Sequence, residues 1–205
     1  LVKQGLSRRG KASQPGVPPG RPASRWVCAC LAETSGRFRL PDPKVRLPMQ
    51  ALLDAIARMP LPTDACRVFH GRGGRYPGCE HLTLDAFPPV WLVTSFLPLE
   101  EAELARLHDA LSARWAQLNP GEPLNWVFQY RHEARAETRL MAGSVPEPHL
   151  VSENGAAFRV HLLRGLNHGF FLDMAEGRRR VGELAAARPG LKLLNLFAYT
   201  CSFSV

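Results

Sequence analysis

The chain has 205 residues, of which 45% are hydrophobic and 21% charged, and its formal net charge is +8 at pH 7. These fractions exclude a collagen, a coiled coil and wholesale disorder, and a chain of this length can bury a sizeable core. The longest apolar run, over 90–99, is interrupted by Thr94, Ser95 and Pro98, so we predict no transmembrane helix. Five cysteines at irregular spacing indicate a reducing compartment, so we expect a cytoplasmic protein without a membrane partner.

Most of the positive charge lies near the beginning of the chain. Residues 1–45 hold nine Lys and Arg against two acidic residues, which gives +7, whereas 46–205 carries +1. The segment is rich in proline and glycine, and no apolar stretch follows its basic residues, which argues against a secretory signal. Residues 1–47 are therefore predicted to be a disordered or even spuriously translated extension, or alternatively an arm that holds RNA phosphates without sequence specificity.

The next part of the chain, over 48–145, shows the pattern of a small α+β domain. Apolar periodicity predicts a helix over 51–59 and an amphipathic helix over 99–118. The buried face of the second helix is expected to carry Leu104, Leu107, Leu111 and Trp115. Strands are predicted over 67–69, 80–85, 90–96, 126–130 and 139–141.

A second segment, over 146–205, begins with a hairpin pattern. The turn-forming pair at 154–155 is Asn-Gly, which predicts a hairpin joining 149–152 to 158–163. A helix is predicted over 176–187, because a Pro-Gly pair follows it.

The last feature is an almost continuous apolar run over 191–199. Such a run is typical of a strand that a parallel sheet buries on both faces. The turn after the first strand of an α/β fold is a favoured ligand site, because free N–H groups at the next helix and a close backbone approach are available there. Thr200 and Ser202 could supply hydroxyl groups at that turn.

The run NLFAYTCSFSV, over 195–205, resembles the first nucleotide-loop motif of class I S-adenosylmethionine-dependent methyltransferases. More narrowly it resembles the large-subunit ribosomal RNA methyltransferases that make 5-methylcytosine. Two upstream stretches, over 67–87 and 146–179, are similar to the same family in the same order, so the resemblance covers roughly 66–205. It implies an α/β fold with a small mixed α+β central domain, a β-hairpin lead-in and the start of a Rossmann-like methyltransferase sheet.

The resemblance also implies a function and a site. It implies S-adenosyl-L-methionine as cofactor, RNA of the ribosome as substrate and methyl transfer as the activity, with no metal. Carried over position by position, it assigns to the cofactor pocket one group after the apolar run, which is Asn195, Phe197, Tyr199, Thr200, Cys201 and Phe203. It assigns a second group before that run, which is Asn167, His168, Phe170, Phe171 and Asp173. No catalytic residue is assigned.

The chain departs from the family pattern at three places. The second turn glycine is Ser202 here, and the family's Gln-Lys before the G-F-F motif is replaced over 166–167. The family's Leu-Asp-Gln-Arg is Leu-Asp-Met-Ala over 172–175, so its arginine is absent unless Arg178 or Arg179 takes its place.

The resemblance ends at Val205, before two parts that the family uses. The acidic residue that grips the ribose hydroxyls and the nucleophilic cysteine of the cytosine-modifying members would both lie further along. We therefore expect the front part of a methyltransferase, inactive by itself. The alternative is a non-catalytic RNA-binding or adaptor fragment. Binding of the methyl donor S-adenosylmethionine would distinguish the methyltransferase from the adaptor fragment.

Two further clusters have competing interpretations. Cys66, His70, Cys79 and His81 offer two sulfurs and two nitrogens, but their spacing does not match a zinc finger or ribbon, and buried thiols with turn histidines explain them as well. Several arginines flank aromatic residues and either form an RNA surface or belong to solvated faces. They are Arg72, Arg75, Arg131, Arg135 and Arg139.

Overall fold

The structure is a computed structural model that describes residues 49–132, 135–196 and 198–204. The predicted arm over 1–47 lies outside these residues. In chain order the helices and strands are α1 (Gln50–Arg58), β1 (Cys66–His70), β2 (Leu82–Phe87), β3 (Val90–Ser95), α2 (Glu101–Leu118), β4 (Asn125–His132), β5 (Arg135–Ala142), β6 (His149–Glu153), β7 (Ala156–Val160) and α3 (Ala175–Ala186). Within the described part of the chain, no helix is both long enough and apolar enough to cross a membrane.

The centre of the fold is a five-stranded sheet with the strand order β1-β2-β3-β4-β5. Its neighbouring strands are antiparallel except for β3 and β4, which are parallel. Parallel strands need a long crossover, and α2 supplies it. The predicted mixed α/β fold class is confirmed, and so are the helices and strands that the sequence predicts before residue 187.

Helices α1 and α2 cover one face of the sheet. The Glu103 side chain fixes the beginning of α2, because its carboxylate accepts a hydrogen bond from the backbone N–H of Glu100 at 2.9 Å. The four α2 residues expected at the interface are all buried. They pack with α1 against Trp91 and Trp126 of the sheet in one apolar core.

The opposite face of the sheet is covered by the segment that follows β5. Side chains of β2, β3 and β4 form a second core there, which includes Phe87, Leu92 and Val127. The β6–β7 hairpin and residues 162–172 complete this core from the other side. The hairpin is the one that the Asn-Gly turn predicts, and Asn154 adopts the left-handed conformation with a φ of 51°. The domain boundary between 145 and 146 stays a prediction.

The strand predicted over 191–199 is wrong for the described residues in that range. No strand includes 191–196, and the side chains of Leu193, Leu194 and Leu196 are 53%, 81% and 67% exposed. A strand forms only where a neighbouring strand pairs with its backbone N–H and C=O groups. None of the described segments offers that pairing to 191–196, so the apolar side chains of this run remain exposed to solvent.

The core placement of α2 predicts unequal effects for two leucine truncations. Leu107 is fully buried under the sheet, whereas Leu140 on β5 is 46% exposed. Leu107→Ala is expected to lower the free energy of unfolding by about 2–5 kcal/mol, because it leaves a cavity in the core. Leu140→Ala is expected to change it by about 0.5 kcal/mol or less. Urea unfolding of both variants measures the difference, and equal losses would contradict the described packing.

Candidate functional site

A turn over 198–204 packs against the segment 169–178 and brings the two predicted groups of site residues together. The Thr200 hydroxyl donates a hydrogen bond to the carbonyl oxygen of Gly169 at 2.7 Å. The rings of Tyr199 and Phe171 lie beside each other, with centroids 5.4 Å apart. Segments that are about 30 residues apart in the sequence therefore form one surface.

The backbone of the turn is strained at two positions. Tyr199 and Cys201 have φ values of 48° and 60°, in the left-handed region that favours glycine and costs other residues roughly 1–2 kcal/mol. Ser202 is not among the described residues with positive φ, so the serine at the family's second glycine position causes no strain there. Strain of this kind concentrates at ligand-binding and catalytic sites. The Asn195 amide donates to the Ser204 hydroxyl at 3.0 Å and closes the turn.

A buried ion pair fastens α3 to strand β6 next to this turn. Arg178 donates from Nε and Nη2 to the two carboxylate oxygens of Glu153 at 2.6 and 2.8 Å. Their side chains are only 6% and 8% exposed. The guanidinium carbon lies 4.3 Å from the centroid of the Phe170 ring and 6.0 Å from that of Phe203. Aromatic faces at these distances stabilise a cation.

A cavity of about 370 Å³ lies between α3 and the turn. Arg178 lines it from α3, and Asn195, Ser202, Phe203 and Ser204 line it from the turn side. The Nη1 atom of Arg178 is buried and has no hydrogen-bond partner among the described residues. The ion pair with Glu153 therefore leaves part of the hydrogen-bonding capacity of Arg178 unused.

The remaining predicted site residues occupy different environments. His168 and Phe170 are buried, Phe170 in the core beneath the sheet with its ring stacked on Phe158 at 4.3 Å between centroids. Asn167 and Asp173 are exposed. Phe197 lies outside the described residues.

His168 is directed towards the sheet. Its Nδ1 lies 3.2 Å from the carbonyl oxygen of His161, and its ring contacts Phe87 edge-on at 6.0 Å between centroids. Burial lowers the pKa of His168 to about 4, so the imidazole is neutral at pH 7. The neighbouring Arg131 acts in the same direction on this pKa.

A polar cluster under the sheet, which sequence reasoning missed, holds this segment in place. Arg67 donates to Asp85 at 2.8 Å across β1 and β2, and burial raises the pKa of the Asp85 carboxyl while Arg67 opposes that effect. Arg131 donates to Gln129 at 2.6 Å and to the carbonyl of Leu166. Arg67 and Asp85 are cross-strand partners, but a bulge in β1 hides that register from the sequence.

The structure also bears on the Cys/His cluster and on the five arginines, each of which has two interpretations from the sequence. Among the described residues, no group of three or more His, Cys, Asp or Glu side chains could hold a metal ion. Of the five arginines considered as an RNA surface, Arg139 pairs with Glu101 at 2.8 Å and Arg72 stacks on the ring of Phe96 at 4.2 Å. Arg131 is engaged under the sheet as described above.

Comparison with known proteins identifies the family. The model of the S-adenosylmethionine-dependent methyltransferase family matches residues 66–205. The chain belongs to this family. The predicted resemblance is thereby confirmed, and it covers the sheet, the hairpin, α3 and the turn.

Similar proteins in the family are named as ribosomal RNA methyltransferases. The chain is 28% identical over 149 residues to a ribosomal RNA large subunit methyltransferase of Deinococcus radiodurans, which covers 70% of this chain and 34% of that protein. It is 33% identical over 126 residues to ribosomal RNA large subunit methyltransferase I of Pseudoalteromonas atlantica, which covers 62% and 31%. The chain thus spans about a third of the length of these relatives.

Solved structures agree with this placement. A protein from Streptococcus mutans, described as a candidate S-adenosylmethionine-dependent methyltransferase, superposes with a TM-score of 0.53 at 26% identity, over 78% of this chain and 42% of that one. A second structure, of a candidate methyltransferase complexed with S-adenosylhomocysteine, gives a TM-score of 0.54 with the same identity and coverage.

The buried His168 predicts a specific pH dependence of stability. Its pKa is about 4 in the fold against 6.5 in a model peptide, so the unfolded state binds more protons between these values. The free energy of unfolding is therefore expected to fall as the pH decreases from 6.5 towards 4, by up to about 3 kcal/mol. His168→Gln removes this contribution, and His132→Gln, at an exposed position, retains it. Urea unfolding across this pH range tests it, and an unchanged slope in His168→Gln would contradict the burial.

Proposed function

We propose that this chain holds S-adenosylmethionine in the cavity between α3 and the turn over 198–204, as part of an RNA methyltransferase. The observation that carries the proposal is the cavity itself, which is lined by Arg178 on α3 and by Ser202, Phe203 and Ser204 of the turn. Family membership supports S-adenosylmethionine as the ligand, since the matched family model is that of S-adenosylmethionine-dependent methyltransferases. The donor supplies an electrophilic methyl group when it is bound.

The residues have distinct proposed roles. Asn195 and Phe203 line the cavity and would contact the donor directly. Thr200 and Cys201 shape the turn, Thr200 by its hydrogen bond to Gly169. Tyr199, Phe171, Asn167 and Asp173 are exposed and do not line that cavity, so their role in donor binding stays a prediction. His168 and Phe170 support the segment from beneath, and Phe197 stays a prediction.

We propose RNA of the large ribosomal subunit as the substrate. The support is the naming of the relatives, which are ribosomal RNA large subunit methyltransferases that this chain matches over about a third of their length. The concentration of nine basic residues in the first 45 adds a segment suited to phosphate contacts. The division into an arm over 1–47, an α+β domain over 48–145 and a donor-binding part over 146–205 belongs to the same proposal.

The 205 residues by themselves are expected to bind the donor weakly and to transfer no methyl group. Leu193, which lines the cavity, is 53% exposed, so the described residues leave the cavity open to solvent. Methyl transfer requires donor and acceptor held in line, and positioning supplies a large part of the rate. An open cavity positions the donor poorly, so these residues alone are expected to gain little of that rate.

Photochemical labelling tests the donor site at the low affinity expected. Irradiation of the chain with millimolar S-adenosylmethionine carrying a labelled methyl group is expected to label peptides over 169–178 and 195–204, and excess S-adenosylhomocysteine should suppress the label. Thr200→Val removes the bond to Gly169 and should reduce labelling, whereas Thr63→Val at an exposed site should not. Labelling spread over the chain, or unaffected by the competitor, would contradict the site.

The same chain distinguishes the two functional alternatives. Filter binding to large-subunit ribosomal RNA, together with the labelling experiment, separates donor binding from RNA binding. RNA binding without competed donor labelling would favour the adaptor role. Turnover of labelled donor on the RNA by the 205 residues would contradict the expected inactivity.

A further inference from the structure

We propose that the end of β4 and the beginning of β5 bind one unpaired guanine of an RNA strand, which stacks on Tyr130 and His132 and pairs with Glu137. These three residues and Arg135 are called the guanine site. None of them lines the cavity between α3 and the turn over 198–204. The inference rests on the proposed RNA substrate and deepens it, because it names a surface that contacts the RNA and the base that is recognised there.

Strand pairing places the four side chains on one face of the sheet. Tyr130 is the register partner of Glu137, and His132 is the register partner of Arg135. Alternate residues of a strand and the residues directly opposite them share a face. The rings of Tyr130 and His132 therefore lie next to each other, with centroids 6.1 Å apart and an angle of 37° between their planes.

The four residues line a cavity of about 220 Å³. Sites that take up a whole small molecule usually measure about 300–1,000 Å³, so this cavity suits one ring system of a longer ligand. His132, Arg135 and Glu137 are exposed, and Tyr130 is half-buried. An unpaired base of a single strand can stack on such aromatic rings while the rest of the strand stays outside the cavity.

The charged groups of the guanine site are available to a ligand. Neither Arg135 nor Glu137 forms a hydrogen bond or an ion pair with a described residue. In contrast, Arg139 on the same face of β5 is held by Glu101 at 2.8 Å. A guanidinium can bind a phosphate or lie flat on a base, so Arg135 is suited to contact the nucleotide that enters the site.

The carboxylate of Glu137 favours guanine over the other bases of RNA. A carboxylate accepts hydrogen bonds, and its two oxygens can take two parallel N–H groups. Guanine presents two adjacent N–H groups on its Watson–Crick edge, at N1 and at the 2-amino group. Uracil, cytosine and adenine each present an acceptor next to their N–H group, and that acceptor repels a carboxylate. Glu137 lies directly across from Tyr130, so a base stacked on the rings can turn its edge towards β5.

A second exposed cation lies at the same end of the sheet. Ser95, the last residue of β3, is the register partner of Tyr130, and Phe96 follows it. The guanidinium carbon of Arg72 lies 4.2 Å from the centroid of the Phe96 ring. The parallel strands β3 and β4 end at the same side of the sheet, so Arg72 and Arg135 can both attract phosphates of a strand that crosses this end.

The experiment uses short ribose-phosphate strands that carry a single base. All other positions are abasic, and the one base is guanine, hypoxanthine (which lacks the 2-amino group) or absent. Fluorescence anisotropy gives the Kd of each labelled strand for the full 205-residue chain. The strands have equal numbers of phosphates, so the basic residues within 1–45 contribute equally to each Kd. The variants are Tyr130→Leu, His132→Gln and Glu137→Gln, and Glu122→Gln, at an exposed position before β4, is the matched control for the loss of a negative charge.

The unmodified chain is expected to prefer guanine. It should bind the strand with guanine about fivefold or more tightly than the strand without a base, which is the lower end of what stacking of one base contributes. Tyr130→Leu and His132→Gln should each lower this ratio, because each removes one ring. Glu137→Gln should lower the preference for guanine over hypoxanthine, whereas Glu122→Gln should retain both ratios.

Three results would overturn the inference. Equal binding of the strands with and without guanine would show that the chain contacts phosphates alone, and the proposed RNA substrate would stand. A preference that survives both ring variants would locate the base elsewhere, and His132→Gln changes an exposed side chain, so its effect does not depend on unfolding. Equal binding of guanine and hypoxanthine would contradict the role of Glu137. If neither these strands nor large-subunit ribosomal RNA binds the unmodified chain, the proposed RNA substrate fails and the guanine site fails with it.

Discussion

The buried ion pair between Glu153 and Arg178 is the interaction on which the candidate site depends. It joins the hairpin strand β6 to α3 across 25 residues of sequence, with both charges withdrawn from water. Such a pair is costly to desolvate and adds little net stability, yet removal of one partner leaves an uncompensated buried charge. Its value here is therefore positional: it fixes the side of the cavity that faces the turn over 198–204.

A chain of contacts connects that pair to the central sheet. Hairpin residues pack into the core beneath β2, β3 and β4, and the polar cluster around Arg131 holds the carbonyl of Leu166. From there the segment runs through the buried His168 and Phe170 to α3. The turn over 198–204 is held against this segment by the hydrogen bond from Thr200 to Gly169 and by the contact between the Tyr199 and Phe171 rings. The central sheet thus acts as the platform that positions the residues proposed to bind the donor.

The sequence predicted the local elements well because their signals are local. Apolar periodicity located α2 and its four buried residues, and an Asn-Gly pair located the hairpin. The motif resemblance identified the family and assigned Tyr199 and Phe171 to one site, and the structure places their rings side by side. The partner of Arg178 could not be predicted, because Glu153 is 25 residues away in a different element. The apolar run over 191–196 gave a wrong strand, since local pattern cannot show whether a pairing neighbour exists.

The proposed donor site requires the turn over 198–204 and the segment 169–178 to contact one ligand together. The most direct test measures intermolecular NOEs between S-adenosylhomocysteine and the chain labelled at threonine methyl groups and phenylalanine rings. NOEs are expected to Thr200 and Phe203, and none are expected to Thr83 or Thr94, which are buried in the sheet. NOEs confined to other parts of the described chain, or none at a saturating ligand concentration, would contradict it.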